Sequence, residues 1–159
     1  CGTASLALAL ADRMDGRGRI VGIDRSERQL ERARQKIPAS PVPIELVRGS
    51  IADLPFDDAS VDGICISQVL HALPEDVCAK SLSECARVLR PGGFLGLVEW
   101  SRPRFGYAAL IWTASLLRSR DSRNWRGTYP ELVAGLGLEL AVDRYLDSLN
   151  RCQILTKPR

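Results

Sequence analysis

Long hydrophobic runs are missing from this chain. None approaches the roughly 20 apolar residues that a membrane-spanning helix needs. The longest candidate, Tyr107 to Leu117, is too short and is interrupted by Thr113 and Ser115. Paired cysteines are missing as well. The five thiols (Cys1, Cys65, Cys78, Cys85, Cys152) include no CxxC and no zinc-type spacing, so no metal and no disulfide framework is expected, and a reduced cytoplasmic setting follows. Cys65 and Cys152 fall in apolar, strand-like runs, where a thiol behaves as a small hydrophobe. Histidine is nearly absent: His71 stands alone. A strong excess of one charge is lacking too, since 22 Lys and Arg against 19 Asp and Glu leave a net +3, too little to argue for nucleic acid. Finally, there is no initiator Met, so the lack of a signal-peptide pattern says little, and the opening turn, Cys1-Gly2-Thr3-Ala4, has no strand in front of it.

What is present suits one globular domain over 1–159, long enough for a real core, with 45% apolar and 26% charged residues. Periodicity alternates between the two kinds of element. Ser5 to Met14 reads as an apolar helix and Ile20 to Ile23 as a strand ending on Asp24. Ser26 and Gln29 have capping-box spacing, opening a helix that Pro38 stops near Ile37. Ile44 to Val47 and Val61 to Ser67 are strands, separated by the turn Asp57-Asp58-Ala59-Ser60. Pro74-Glu75-Asp76 starts a helix to about Leu89, ended by a tight reversal at Arg90-Pro91-Gly92-Gly93. Phe94 to Trp100 is a strand, and Tyr129 to Leu136 a helix closed by Gly137. Leu138 to Tyr145 and Arg151 to Thr156 follow without a helix between them, so they pair as an antiparallel hairpin at the sheet edge. Alternation of this kind predicts an α/β fold, a Rossmann-like doubly wound sheet made mixed by the terminal hairpin.

The chemistry gathers at strand ends. A glycine turn before a helix, followed by an acid at the tip of the next strand, is how open α/β sheets hold a nucleoside: backbone N–H groups approach the ligand and the carboxylate accepts from ribose hydroxyls. Gly2 and Asp24 fit that pattern. Behind them come Arg48-Gly49-Ser50-Ile51-Ala52-Asp53-Leu54-Pro55-Phe56, then Ser60-Val61-Asp62-Gly63-Ile64, Val69-Leu70-His71-Ala72-Leu73 and Arg87-Val88-Leu89-Arg90-Pro91-Gly92-Gly93. Asp53 reads as a loop residue that caps backbone N–H groups. His71 reads either as a partly buried or helix-capping side chain or as a proton acceptor. Phe105 to Trp112, with Leu116, Leu117 and Trp125, reads either as a lid over an apolar acceptor or as an amphipathic helix packed on the sheet. Arg102, Arg104, Arg118, Arg120, Arg123 and Arg126, with Asp121 as the only acid, form either a solvated face or a contact for an anionic substrate or a membrane surface through 102–126.

Four motifs in this order and spacing resemble a class I S-adenosylmethionine-dependent methyltransferase, of the group that includes the ubiquinone/menaquinone C-methyltransferases. The resemblance implies that Gly2 and Thr3 lie under the methionine part of S-adenosylmethionine. It places Asp24 on the ribose hydroxyls, with Arg25 and Ser26 near the adenosine and Ser50 and Ile51 flanking adenine. Ser67 and Gln68 would face the methionine moiety and the space of methyl transfer to a small-molecule acceptor, with His71 as the candidate catalytic base. Two positions depart from the family pattern: Ser50 stands where a carboxylate is usual, and Ala4 where the loop has its last glycine. In this family the strand ahead of the glycine turn is central, so its absence is expected to divide the sheet between the strands ending at Asp24 and at Ser67. Each apolar side chain absent with it forfeits about 1.5–3 kcal/mol of a total near 5–15 kcal/mol, so a chain lacking it is expected to fold poorly and bind cofactor weakly. Two rivals are an NAD(P)-dependent oxidoreductase, which would want a third glycine where Ser5 stands, and a non-catalytic protein that keeps the fold as a binding scaffold.

Overall fold

In the computed structural model, which describes residues 1–101, 133 and 135–159, helices and strands alternate as the periodicity predicts. The chain divides into two compact units, Cys1–Pro55 and Phe56–Arg159.

The first unit runs α1 (Ser5–Ala11), β1 (Ile20–Asp24), α2 (Glu27–Arg34) and β2 (Ile44–Arg48). The strands pair in parallel from Ile20↔Ile44 to Asp24↔Arg48, so the acid at the tip of β1 lies level with the end of β2. Helical spacing explains the core: Ala4, Ala7 and Ala11 recur on one face and are buried. Ala4 and Ala7 join Ala33 of α2, and Ile20, Ile37, Ile44 and Leu46 pack on that cluster. α2 buries only Leu30 and Ala33, and ends at Arg34, with a separate 3-10 turn, Ile37–Ala39, around Pro38. The capping box does not form. Ser26 is the N-cap in extended backbone, but its side chain makes no capping bond. Its N–H, which Gln29 was expected to take, donates instead to Asp24 Oδ1 at 2.9 Å. An ionised oxygen two residues away is the stronger acceptor.

The second unit holds β3 (Val61–Ser67), α3 (Glu75–Val88), β4 (Leu89–Trp100), β5 (Glu139–Tyr145) and β6 (Asn150–Thr156). Its sheet has the order β3-β4-β6-β5, while β1 and β2 form a sheet of their own, the partition expected above. β3 and β4 are parallel; β6 runs antiparallel to both β4 and β5. The sheet is therefore mixed and Rossmann-like, with the predicted hairpin at its edge.

Two motif segments turn out to be structural. Arg87, on α3, donates to both oxygens of Glu84, to Asp58 Oδ1 and to Phe56 O, while Ala59 N and Ser60 N donate to Arg87 O and Val88 O. It ties the predicted turn to the helix end. Arg90-Pro91-Gly92-Gly93 is not a free reversal but the lead-in of β4: the chain passes from α3 straight into the strand at Leu89. Gly92 takes φ +79°, and its N–H and the Gly93 carbonyl bond Lys157 O and Lys157 N. A Cβ on Gly93 would come within 2.9 Å of Asp62 O, so the close approach of β3 requires glycine there.

The Lys157 ammonium then reaches Ala86 O and Leu89 O, both at 2.7 Å, and so satisfies carbonyls that the end of α3 leaves unpaired. Lys157→Met keeps the stem and removes both charge-assisted bonds. It is expected to lower the stability of this unit by about 2 kcal/mol, read as a shifted urea midpoint at unchanged slope; a shift below about 0.5 kcal/mol would contradict that role.

The thiols differ from expectation. Cys65 is exposed and Cys152 half-buried, whereas Cys78 and Cys85, one helical face of α3, are fully buried. Burial, with the nearby carboxylates Glu99 and Glu75, pushes the Cys78 thiol up to about 11. Burial, with Glu84, pushes Cys85 up to about 12. They behave as small hydrophobes. No helix among the described residues is long and apolar enough to cross a membrane. The arginine segment 102–126 and the Phe105 to Trp112 stretch lie outside the described residues, as does the helix expected over 129–136 except for Val133, which is helical and buried, and residues 135–136.

Candidate functional site

In the first unit Asp24 is the organising group. Its Oδ2 accepts the Gly2 N–H at 2.7 Å and its Oδ1 the Ser26 N–H at 2.9 Å. Burial raises this carboxyl, but the Ser26 and Gly2 N–H hydrogen bonds act against it, and Asp24 is held below the usual carboxylate range. The acid is thus ionised and gripped on one side, with a further lone pair on Oδ1. β1 also closes on β2 through Gly49 N to Asp24 O at 3.1 Å.

Beside it, Arg25, Arg48, Gly49 and Ser50 line a cleft of about 380 Å³. Ser50 Oγ accepts the Ala52 N–H at 3.2 Å, which leaves its hydroxyl hydrogen and one lone pair for a ligand. The local cap is therefore Ser50; Asp53, the expected capping residue, has an exposed side chain and gives only its N–H to Ser50 O. Ile51 is half-buried and outside the cleft lining. Thr3 turns elsewhere: its Oγ1 meets Lys36 Nζ at 3.0 Å and Ser5 Oγ at 3.3 Å. Ala4, in the place of the loop's last glycine, has φ +61°, a conformation that costs a residue with a Cβ about 1–2 kcal/mol.

In the second unit Ser67, Gln68 and His71 follow the carboxyl end of β3. Ser67 is half-buried and pairs with Val98 in register. Gln68 has φ +56°; its N–H is held by Val98 O at 2.9 Å and its side-chain amide donates to Asn150 Oδ1 at 2.7 Å. His71 lies in a 3-10 turn, Leu70–Ala72, partly buried.

The residue that sequence reasoning missed is Glu99, only 2% exposed in β4. Its Oε1 accepts Val69 N at 2.8 Å and Leu70 N at 3.0 Å, and its Oε2 lies 2.7 Å from His71 Nδ1. Trp100 stacks on the imidazole, with centroids 4.6 Å apart and planes 20° apart. One signal was available: an acid inside an otherwise apolar strand must be paired if that strand is buried.

A glycine turn gripped by a strand-tip carboxylate ahead of a helix, on an α/β frame, is the arrangement with which open α/β sheets hold nucleosides. Comparison with known proteins narrows the class. Residues 1–93 match a methyltransferase domain model. Demethylmenaquinone methyltransferase of Staphylococcus epidermidis is 42% identical over 103 residues, covering 65% of this chain and 42% of that protein. The Desulfitobacterium hafniense protein of the same name is 38% identical over 105 residues, covering 65% and 41%. The match thus spans less than half the length of these curated relatives. Among solved structures, an S-adenosylmethionine-dependent methyltransferase from Methanosarcina mazei superposes with a TM-score of 0.82 at 18% identity, over 99% of this chain and 89% of that one. The [4+2]-cyclase SpnF gives 0.79 at 18% identity, over 99% and 72%. At that identity both report the fold alone, and the second shows that this fold also serves other chemistry. Through residues 1–93 the chain belongs to the methyltransferase-domain family, and its fold is that of the S-adenosylmethionine-dependent methyltransferase it superposes on.

Proposed function

We propose that the protein methylates a quinone-like aromatic acceptor in its reduced, hydroquinone form. The observation that carries the cofactor half is Asp24, held ionised by the Gly2 and Ser26 N–H groups beside the cleft of Arg25, Arg48, Gly49 and Ser50. That donor set fits S-adenosylmethionine. Asp24 takes the ribose hydroxyls, Gly2 keeps the backbone close beneath the ligand, and Ser50 offers a hydroxyl to adenine in place of a carboxylate. When bound, the cofactor supplies a methyl group activated by its sulfonium, so the residues around it need to align the acceptor and exclude water rather than activate a leaving group.

The acceptor half is supported by the names of the relatives, which match over 65% of the chain. A quinone is an electrophile, whereas the hydroquinone ring is electron-rich enough to take an electrophilic methyl group; hence the reduced form. Five free thiols suit a reducing cytoplasm. The arginine-rich 102–126 segment would bring the protein to an anionic membrane surface where lipid-like quinols reside.

The test is binding followed by turnover. S-adenosylmethionine and its demethylated product should each raise the melting temperature, and NAD should not. A demethylated naphthohydroquinone should then release the demethylated cofactor faster than pooled amine, thiol and lipid acceptors. Stabilisation by NAD alone would end the proposal; turnover confined to a non-quinol acceptor would remove its second half.

A further inference from the structure

We infer that the cleft of Arg25, Arg48, Gly49 and Ser50 reads the edge of a 6-oxopurine, so that the nucleoside ligand held there is bound more tightly with hypoxanthine as its base than with adenine. This rests on the nucleoside reading of the Asp24 site above and deepens it. All the residues concerned lie in the first unit.

Counting donors and acceptors separates the two bases. Arg25 and Arg48 are exposed side chains that line the cleft, and a guanidinium donates hydrogen bonds but accepts none. Among the described residues no carboxylate pairs with either one, so both forks face the ligand space uncommitted. Ser50 Oγ already accepts the Ala52 N–H, which leaves its hydroxyl hydrogen and one lone pair. Gly49 gives its N–H to Asp24 O and keeps only its carbonyl for a ligand. Asp53, the next acid along the loop, is exposed and outside the lining. The side chains of the cleft are thus donors almost throughout, and no Asn, Gln, Asp or Glu stands among them.

The two purines present different edges to such a surface. Adenine sets an acceptor, N7, beside an amino donor, N6–H2, and is matched by a side chain that both accepts and donates, as Asn and Gln do. A 6-oxopurine has acceptors at both places, N7 and O6, which is the pattern that the paired N–H groups of arginine fit. Against Arg25 or Arg48 the amino group of adenine meets another donor, whereas the oxygen of hypoxanthine closes a bidentate pair. Ser50 does not reverse this selection, because an uncharged hydroxyl with one lone pair already used is a weaker acceptor than a carboxylate. The N1–H that hypoxanthine bears and adenine lacks has the Gly49 carbonyl or solvent to donate to. Asp24, assigned above to the ribose, makes no choice between the bases, since both nucleosides carry the same hydroxyls.

Calorimetry of the protein with S-inosylhomocysteine and S-adenosylhomocysteine tests this without turnover, because the two probes differ only in the substituent at purine position 6 and the N1 hydrogen that goes with it. We expect the inosine form to bind about tenfold tighter, near the low end of what one bidentate arginine pair discriminates. Ser50→Asp supplies a charged acceptor and should reverse the order. Arg25→Met and Arg48→Met, made singly, keep much of the apolar stem and identify the fork: at least one of them should bring the two affinities within threefold. Arginines that lie flat over the ring, or that remain solvated, would read neither edge. Wild-type affinities within threefold of each other therefore overturn the inference, as does tighter binding of the adenosine form or an unchanged preference in Ser50→Asp. Any of these results leaves the cofactor site standing. Binding of neither probe overturns the nucleoside reading of Asp24 itself, and this inference with it.

Discussion

Glu99→Ala is expected to lower the unfolding free energy by about 3–5 kcal/mol, the range for breaking a buried charge cluster by removing one partner. The lost carboxylate takes with it three acceptor contacts, to Val69 N, Leu70 N and His71 Nδ1. Each backbone donor left dry costs about 1–3 kcal/mol. Because total stability is of order 5–15 kcal/mol, the variant should lose a large share of it. Chemical denaturation followed by tryptophan fluorescence would read this, with Trp100 reporting at the site. A loss below about 1 kcal/mol would mean that water reaches the turn and that the carboxylate is not its anchor. The contrast with Glu99→Gln is the informative part: the amide spares the backbone donors and should cost far less.

Asp24→Asn is the second large effect. The amide keeps an oxygen for one N–H but turns an NH2 toward the other, so either Gly2 or Ser26 loses its acceptor. It also removes the negative charge offered to the ribose. Hydrogen bonds to a charged group contribute about 1.5–3 kcal/mol each. Losing that assistance on two hydroxyls predicts about 2–4 kcal/mol of binding, roughly 30- to 1,000-fold in Kd for S-adenosylmethionine. Calorimetry would measure it, with Asp24→Glu retaining charge at the wrong reach and falling between. A change under threefold would remove Asp24 from the cofactor site.

Much of this architecture was legible because its causes are local. Short apolar runs bounded by turn residues, from Ile20 to Asp24 and from Val61 to Ser67, suit buried parallel strands, and the helix-less gap between Tyr145 and Asn150 dictates a hairpin. Gly2 and Asp24 were found as a pair because their relation is a spacing. What could not be read depends on competition or distance. The box at Ser26 and Gln29 is real as a pattern, yet Asp24 is a better acceptor for the same N–H. Arg90 to Gly93 has the composition of a turn, but Lys157 supplies the backbone partners that draw it into β4. Glu99 in isolation is one acid in an otherwise apolar strand, which says that it needs a partner but not which one. Its meaning comes from Val69, Leu70 and His71, nearly thirty positions earlier, which only the parallel pairing of β3 with β4 brings to it. The strand order had the same difficulty, since adjacency in sequence does not say that β6 rather than β5 lies against β4.

That placement of β6 has a consequence during synthesis. β4 emerges with one edge covered by β3 and the other open from Phe94 to Trp100, because the residues that pair with it are 150–156. At about 5–20 residues per second the open edge persists for several seconds, and an apolar, unpaired edge is a template for association with other chains. Capture by β6 is therefore the step that closes this edge, and cells that translate the chain quickly are expected to accumulate less aggregate than cells in which the ribosome pauses between β5 and β6, as read by the insoluble fraction.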